Sequence, residues 1–234
     1  MNEPLQKSIH KHYQVWLSGL ASKLGGERLR LGLARILFKL QIEEDLSIPA
    51  KGGCLVAFNH VSDAADTIVY LVIQHYRPDV FLFVWNLNRD IISSFLRTTG
   101  LARSAERLIL TDMRLTQNAN ELLRARQVLL DGGCVAIAPE GETTWDGRLQ
   151  SPLAPGAAWL GLHTAVPIIP IISRGGYDVQ PLWWREKIRL TGRIQIRAGQ
   201  PLVLCDHPLE KVTEFQLQAA SQRLWQVLSE LINR

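Results

Sequence analysis

The sequence predicts an α/β fold, a mainly parallel central sheet flanked by helices, because short apolar runs alternate along it with helical stretches. The apolar runs are rich in β-branched residues and too short for helices, which is typical of buried strands. They lie at 54–58, 80–84, 107–110, 134–138 and 168–172. The helical stretches between them lie at about 64–76, 90–97, 115–130 and 156–164.

Both ends of the chain carry further predicted elements. Residues 1–45 read as an N-terminal pair of amphipathic helices broken at Gly25-Gly26, and residues 46–234 as the α/β domain. The stretch 187–204 alternates apolar and polar residues, so it is a candidate antiparallel edge of the sheet. A final helix is expected over about 213–233.

The charge of the chain is uneven. The formal net charge is +4, and the excess is concentrated in the first 40 residues. The basic side chains there are Lys7, Lys11, Lys23, Arg28, Arg30, Arg35 and Lys39, against Glu3 and Glu27. Such a helical pair suits an anionic membrane surface, with its apolar stripe among the lipid headgroups. The alternative is that the helices pack on the sheet with a solvated charged face.

The remaining composition indicates a cytoplasmic protein that is peripheral at the inner face of a membrane. Residues 1–15 are polar, so no signal peptide is visible, and no stretch approaches the roughly 18 uncharged residues of a membrane-spanning helix. Three widely spaced cysteines fit a reducing compartment. The histidines and cysteines show no metal-ligand spacing, so no metal is expected, and nothing indicates a nucleic-acid partner.

Two predicted strands end in unusually polar segments, Asn59-His60-Val61-Ser62-Asp63 and Glu140-Gly141-Glu142-Thr143-Thr144. In open parallel sheets, reactive groups gather where strands end and helices begin. A histidine with a carboxylate partner suits general-base catalysis, because the carboxylate fixes the tautomer and stabilises the imidazolium. His60 could activate Ser62 or a hydroxyl of the substrate. The chain lacks the Gly-x-Ser-x-Gly elbow that presents a nucleophilic serine, which favours the substrate hydroxyl.

Four blocks in order give the chain a family resemblance. Asn-His-x-Ser followed by Asp, then Pro-Glu-Gly, then Pro155-Gly156-Ala157-Ala158 and Val166-Pro167-Ile168-Ile169-Pro170, resemble the glycerolipid acyltransferases. That family includes glycerol-3-phosphate and lysophosphatidic acid acyltransferases. The resemblance, from about Gly53 to Ser173, implies fatty acyl transfer from a thioester of coenzyme A or acyl carrier protein to a hydroxyl of a glycerol-phosphate or lysophospholipid acceptor. The thioester is then a co-substrate, and no further cofactor is expected.

The resemblance implies that His60 is the base and that an aspartate orients it. The usual pattern leaves four residues between the two, but here Ala65 stands where the acid is expected, with acids at Asp63 and Asp66. Because one residue turns a side chain by about 100° on a helix, Asp66 is expected to reach His60 through a bulged turn. Asp63 could then cap the helix. The alternative is that Asp63 partners His60 without a bulge.

The acceptor site is implied by the second and third blocks. Glu140, Gly141 and Thr143 would line it, and Arg114 would hold an acceptor phosphate, with Arg107 and Arg103 as substitutes. Many family members carry an arginine after Pro-Glu-Gly-Thr, whereas this chain has Thr143, which offers a hydroxyl and no charge. Other cations, such as Arg114 or Arg148, must therefore hold a phosphate, or the acceptor is not a simple phosphate ester.

The displaced aspartate and the missing arginine, the two departures from the family pattern, keep other function classes open. One is a lipid- or acyl-thioester-binding module that has lost turnover, which predicts saturable binding without product. Another is a thioester or lipid hydrolase that uses Ser62 or a water activated by His60, which predicts free fatty acid without an acceptor. The intact blocks around His60, Glu140 and Val166-Pro167 favour the transferase.

Overall fold

A seven-stranded sheet forms the centre of the protein. The computed structural model describes residues 27–43, 46–85, 107–111, 115–181, 189 and 192–234. The strands are β1 (Gln41–Ile42), β2 (Cys54–Phe58), β3 (Phe81–Trp85), β4 (Leu108–Thr111), β5 (Cys134–Ile137), β6 (Ile168–Arg174) and β7 (Gln195–Ala198). Their order across the sheet is β1-β7-β6-β2-β5-β3-β4. The predicted helix at 90–97 and the first helix of the N-terminal pair lie outside the described residues.

The strand pairing confirms the predicted fold class. All neighbouring strands are parallel except β6 and β7, which run antiparallel with Ser173 opposite Ile196. The antiparallel strand β7 lies inside the stretch 187–204 where it was expected. It is one strand in from the edge, because the two-residue strand β1 pairs with its far side.

Six helices surround the sheet within the described residues. They are α1 (Glu27–Leu37), α2 (Asp63–Tyr76), α3 (Leu115–Leu130), α4 (Gly156–Thr164), α5 (Gly176–Val179) and α6 (Glu214–Asn233). The helices α2, α3, α4 and α6 agree with the sequence prediction to within a residue or two.

The central strands are apolar throughout because both faces of the sheet are covered. Every residue of β2 is buried. Val56 and Phe58 face a core shared with α1 and α2, whereas Leu55 and Ala57 face a second core shared with α3, α4 and α6. Burial on both faces therefore produces a continuous apolar run instead of an alternating one.

Helix α1 packs against this core. Leu31, Ala34 and the following residue Phe38 are buried in the same cluster as α2. The exposed side of the helix carries Arg35 and Ile36. The division of the chain near residue 45 stays a prediction, because the first 26 residues lie outside the described part.

At the amino edge of the sheet, where β2 and β5 begin, a buried arginine joins three segments of chain. The Arg77 guanidinium donates to the carbonyl oxygens of Pro49 (3.0 Å), Gly52 (2.9 Å) and Gly132 (3.1 Å). It also forms two hydrogen bonds with the Asp79 carboxylate, at 2.8 and 2.7 Å. Arg77 is only 1% exposed. These contacts hold together the loops from which two central strands start.

Candidate active site

At the opposite edge, called the carboxyl edge here, the ends of β2, β5 and β6 bring the predicted polar segments together. Asn59 follows β2 and is buried. Its side chain forms two hydrogen bonds with the backbone of Ser173 on β6: Nδ2 donates to the carbonyl oxygen (3.1 Å), and Oδ1 accepts from N–H (2.7 Å). This amide continues the strand pairing by one residue and fixes the backbone just before His60. From the sequence, Asn59 had no expected role beyond its place in the motif.

Helix α2 starts at a serine cap. Ser62 has an extended backbone (φ −170°, ψ 156°), and its Oγ accepts a hydrogen bond from the Ala65 N–H. The same hydroxyl donates to the Gly176 carbonyl oxygen at 3.0 Å. Ser62 is 2% exposed, so its hydroxyl is buried and engaged with backbone on both sides. This arrangement disfavours Ser62 as a nucleophile.

Two details of the predicted start of α2 are wrong, namely the cap at Asp63 and the bulge in the first turn. The cap is Ser62, and Asp63 is the first helical residue. The Asp66 N–H donates to the Ser62 carbonyl oxygen at 2.9 Å, the ordinary α-helical bond, so the first turn contains no bulge. Compared with the usual family spacing, this chain has one more residue between His60 and Asp66. That residue is accommodated in the non-helical segment 59–62, where the extended backbone of Ser62 leads into the helix.

The structure places Asp66 beside the His60 ring. Asp66 Oδ2 lies 2.5 Å from His60 Nδ1, and the two side chains are 18% and 24% exposed. Asp63 is exposed. A carboxylate at Nδ1 keeps the proton on that nitrogen and directs the second ring nitrogen, Nε2, to act as the base. The geometry is therefore that of an oriented general base, and the catalytic roles of the two residues stay predictions.

The carboxylates around His60 favour its protonated form. Burial lowers the pKa of the imidazole, but the charge of Asp66 and the hydrogen bond with it, together with the charges of Asp63 and Glu140, raise it by more. The pKa of His60 is about 9 as a result. At neutral pH the ring is mostly the imidazolium, so a deprotonation must precede its action as a base.

Glu140 ties the His60 segment to the loop after β5. Its Oε1 accepts from the His60 backbone N–H at 2.6 Å, and its Oε2 accepts from the Gln150 backbone N–H at 2.7 Å. Burial raises the pKa of the Glu140 carboxyl to about 7, although these two hydrogen bonds act in the opposite direction. The resemblance implied that Glu140 lines the acceptor site. Its described contacts are those of a residue that positions His60, and contact with an acceptor stays a prediction.

The loop of residues 139–150 closes over His60 from one side. The Thr144 N–H donates to the His60 carbonyl oxygen at 2.9 Å. Gly141 has a φ of +77°, a left-handed conformation that glycine adopts at little cost. The buried Thr144 hydroxyl is engaged within the loop, where it bonds with Asp146, Arg148 and Gln150. The backbone of His60 is therefore held by this loop at both its N–H and its carbonyl group.

Thr143 is the loop residue that faces the His60 ring. Its Oγ1 lies 3.2 Å from His60 Nε2. The structure thus brings together His60, Asp66, Glu140 and Thr143, four of the six residues predicted for the site. Gly141 lies in the same loop and serves its turn, and Arg114 lies outside the described residues.

The predicted cations fall in different places. Arg107 is not at the site: it precedes β4 at the amino edge and donates to the Pro78 carbonyl oxygen. Arg148 is in the loop, but its side chain is 86% exposed and lies 3.8 Å from Asp146. Arg103, like Arg114, is outside the described part of the chain. Arg174, which ends β6 at the carboxyl edge, was not considered from the sequence, although its place after a predicted strand was a usable signal.

Two wider features bear on what the site can do. Among the described residues, no three histidine, cysteine or acidic side chains are grouped so that they could hold a metal ion. In the same part of the chain, no helix combines the length and apolar character needed to cross a membrane.

Comparisons relate the chain to known proteins. The model of the acyltransferase family matches residues 39–174, a range that includes His60, Asp66, Glu140 and Thr143. The structure is similar to that of the 1-acyl-sn-glycerophosphate (LPA) acyltransferase PlsC from Thermotoga maritima, with a TM-score of 0.60 and 16% sequence identity. The match covers 100% of this chain and 99% of that one, and at this identity it shows a shared fold. No curated protein matches the sequence.

Proposed function

Because the chain belongs to the acyltransferase family, we propose that it transfers a fatty acyl group from an acyl thioester to a hydroxyl of a glycerol-phosphate or lysophospholipid acceptor. The thioester is one of coenzyme A or acyl carrier protein, and His60 is the general base. The acceptor class is supported by the fold shared with PlsC, which is described as a 1-acyl-sn-glycerophosphate acyltransferase. The chain is accordingly an O-acyltransferase of lipid metabolism.

The observation that carries this proposal is the orientation of His60. Asp66 occupies Nδ1 at 2.5 Å, so Nε2 is the nitrogen that can accept a proton, and it faces a hydroxyl at 3.2 Å. An acceptor hydroxyl within hydrogen-bond reach of Nε2 can pass its proton to the ring while its oxygen attacks the thioester carbonyl carbon. The carbon–sulfur bond then breaks, and the imidazolium returns the proton to the departing thiolate.

The acceptor site is completed by residues whose contacts with substrate are proposals. Thr143 and Gly141 lie in the loop beside the base, and Arg114 and Arg174 are the cations that we assign to an acceptor phosphate. Arg114 comes three positions after the end of β4, and Arg174 ends β6. A planar guanidinium suits phosphate because two of its N–H groups can bond two oxygens at once.

The reaction is tested by mixing the purified protein with an acyl-CoA and either glycerol-3-phosphate or a lysophospholipid. We expect thiol release that depends on the acceptor, with an acylated lipid detected by mass spectrometry. Replacing the acyl-CoA by acyl carrier protein thioester identifies the carrier. Free fatty acid without an acceptor would indicate a hydrolase, and saturable thioester binding without thiol release would indicate a binding module.

The role of the base is tested with a matched pair of histidine variants. His60→Ala should lower turnover by about 10³-fold or more. His75→Ala is the control, because His75 is exposed near the far end of the same helix. Its turnover should stay within about twofold of the unmodified protein. Equal turnover in both variants would remove His60 from the mechanism.

We also place the protein at an anionic membrane surface, as a peripheral protein on the cytoplasmic side. Its proposed acceptor and product are lipids, and α1 presents the exposed cation Arg35 beside Ile36, which is 76% exposed. Sedimentation with vesicles should show more binding to phosphatidylglycerol than to phosphatidylcholine, and less binding as salt is raised. Equal binding to both vesicle types would contradict this placement.

A further inference from the structure

Two large apolar side chains are strongly exposed along the carboxyl edge of the sheet, where His60 lies. Helix α1 ends at this edge, because the Phe38 carbonyl oxygen accepts from the Ile194 N–H at 3.0 Å, and β7 begins where β6 ends. Ile36, in the last turn of α1, is 76% exposed. Trp145, in the loop that holds the His60 backbone, is 63% exposed. One exposed apolar residue therefore stands on either side of the site.

A series of contacts connects the segments that carry these two side chains. Arg193 stands two residues before β7, and a Cβ at Gly175 would clash with its carbonyl oxygen. Two residues after Gly175, Tyr177 donates from its hydroxyl to the Trp145 carbonyl oxygen at 2.7 Å. Gly147 of the same loop packs directly on the Tyr177 ring. The end of α1 and the loop of Trp145 therefore belong to one continuous surface.

The charges on this surface are unevenly placed. The exposed cations lie at the α1 end: Arg35, Lys39 and Arg193. Exposed acids lie at the Trp145 end, among them Glu142, Asp146 and Asp178. Attraction to an anionic partner therefore comes from the α1 end, whereas the Trp145 end offers a large aromatic ring.

We propose that this edge surface, defined by Arg35, Ile36, Lys39, Trp145 and Arg193, is the face of the protein that lies against an anionic bilayer. Tryptophan suits the headgroup region because its ring is apolar and its N–H is polar, and the cations are attracted to lipid phosphates. Strands β1 and β5 are four strand spacings apart, so the surface spans roughly 20 Å. Two contacts at this separation fix the orientation of the protein on the membrane.

This orientation places the base between the two contacts. His60 follows β2, which lies between β1 and β5 in the sheet, and the loop of Trp145 bonds to the His60 N–H and carbonyl oxygen. An acceptor lipid then presents its hydroxyl to His60 while its acyl chain stays in the bilayer. The inference rests on the proposed acyltransferase function and its membrane placement, and it adds which face meets the lipid and how the acceptor arrives.

The first test is sedimentation of the full chain with phosphatidylglycerol vesicles. Lys39→Gln combined with Arg193→Gln should weaken binding about 20-fold and remove most of its dependence on salt, because each cation near an anionic surface contributes about fivefold. Trp145→Ser should weaken binding about five- to tenfold and keep the salt dependence, because the lost contact is uncharged.

Matched controls come from helix α6, which packs on the face of the sheet opposite α1. Phe215 is 80% exposed in its first turn, so Phe215→Ser is the control for Trp145→Ser. Lys211 and Arg223 are exposed before and on the helix, so their combined change to glutamine is the control for the double charge variant. Vesicle binding of both controls should stay within about twofold of the unmodified protein.

The second test compares two acceptors that share a headgroup. Oleoyl lysophosphatidic acid is supplied in phosphatidylglycerol vesicles, and hexanoyl lysophosphatidic acid is supplied dissolved in water, each with an acyl-CoA donor. The edge variants should lose about tenfold in kcat/KM with the vesicle acceptor, because the protein no longer stays at the surface. With the dissolved acceptor, kcat/KM should stay within about twofold.

The outcomes separate this inference from the proposed function. Equal vesicle binding by the edge variants and the α6 variants would overturn the edge surface, and so would an equal loss of kcat/KM with both acceptors. A raised KM for acyl carrier protein thioester in the charge variant, with unchanged vesicle binding, would assign the surface to the carrier protein and overturn the membrane contact. If no acyl group is transferred to any acceptor, the proposed function fails, whereas sedimentation still decides which face binds lipid.

Discussion

At the amino edge of the sheet, Arg77 is paired with Asp79, and at the carboxyl edge His60 is paired with Asp66. Each pair joins a cationic group at or near helix α2 to a carboxylate, and each stands beside loops that it helps to hold. The Arg77 guanidinium is bonded to three backbone carbonyl oxygens from two loops, those of Pro49 and Gly52 in one and that of Gly132 in the other. The His60 ring instead directs Nε2 toward the side chain of Thr143.

The two pairs differ in whether the cationic group can change its charge. The hydrogen bonds with Asp79, although burial opposes them, raise the pKa of Arg77 further above its already high value, so the guanidinium does not titrate. The pKa of His60 is about 9, so its ring changes charge within an accessible pH range. An ion pair whose buried arginine has its donors engaged stabilises loops, whereas one with a titrating member beside a hydroxyl can move a proton.

The largest effect is expected from the carboxylate at the carboxyl edge. Asp66→Asn should lower kcat by about 10³- to 10⁴-fold, because the amide cannot hold the ring in the same protonation state or stabilise the imidazolium. Asp63→Asn is the matched control, since Asp63 is exposed whereas Asp66 is the carboxylate at Nδ1, and its kcat should stay within a few-fold. The measurement is thioester consumption at saturating substrate. A large loss in Asp63→Asn with near-normal Asp66→Asn would assign the partner to Asp63.

The next effect belongs to the amino edge. Arg77→Met should lower the free energy of unfolding by about 3–5 kcal/mol, because it leaves buried carbonyl oxygens and Asp79 without their donor. The kcat of the folded protein should change by less than about twofold. Urea denaturation followed by circular dichroism measures the first quantity, and thioester assays measure the second.

Arg148→Met is the control for that substitution. Arg148 is 86% exposed on its side chain, so its removal should change the free energy of unfolding by no more than about 0.5 kcal/mol. A loss below about 1 kcal/mol in Arg77→Met would show that the amino edge does not depend on this arginine. The Arg77–Asp79 pair would then not be the structural counterpart of the His60–Asp66 pair.

The third effect is the pH dependence of catalysis. The base must be neutral, and the pKa of His60 is about 9, so kcat/KM should rise about tenfold per pH unit from pH 7 and level off near pH 9. Asp66→Asn removes the main cause of the raised pKa and should move the midpoint to lower pH. A flat profile between pH 7 and 9 would contradict His60 as the base.

The contribution of His60 to the free energy of unfolding should fall as pH rises, opposite to the change in kcat/KM. Because the pKa of His60 is higher in the folded protein than its usual value of 6.5, proton binding by the ring stabilises the fold. That contribution is fully present below about pH 6.5 and is lost as pH rises through about 9. The Arg77 pair should contribute no such change over this range.

Much of the fold was predictable from the sequence because it depends on local patterns. Strands buried on both faces are continuous apolar runs, and their polar ends indicated where the site would lie. The family resemblance narrowed the partner of His60 to two acids, Asp63 and Asp66, which stand on either side of the position where the usual spacing places the acid. The continuous apolar runs indicated that helices cover the sheet, and the alternation of apolar and polar residues over 187–204 indicated the antiparallel strand.

The missed features depend on residues that are distant in sequence. Asn59 bonds to Ser173 across 114 positions, and the His60 N–H bonds to Glu140 across 80. No periodicity links such pairs. Arg77 likewise bonds to carbonyl oxygens of two separate loops, at Pro49 and Gly52 and at Gly132, which no local pattern connects. The cap was assigned to Asp63 because aspartate and serine are similarly good caps, and sequence alone does not distinguish two neighbours.

The smallest effect tests whether the first turn of α2 links stability to catalysis. Ser62→Ala removes the cap and the bond to Gly176, so it should cost about 1–2 kcal/mol of unfolding free energy. Thr213→Ala removes the equivalent cap of α6, which lies far along the chain, and should cost about 1 kcal/mol. Only Ser62→Ala should also lower kcat, by several-fold, because the Ser62 hydroxyl holds the first turn of α2, which carries Asp66. If both variants keep full kcat, the capped turn stabilises the helix without positioning the carboxylate.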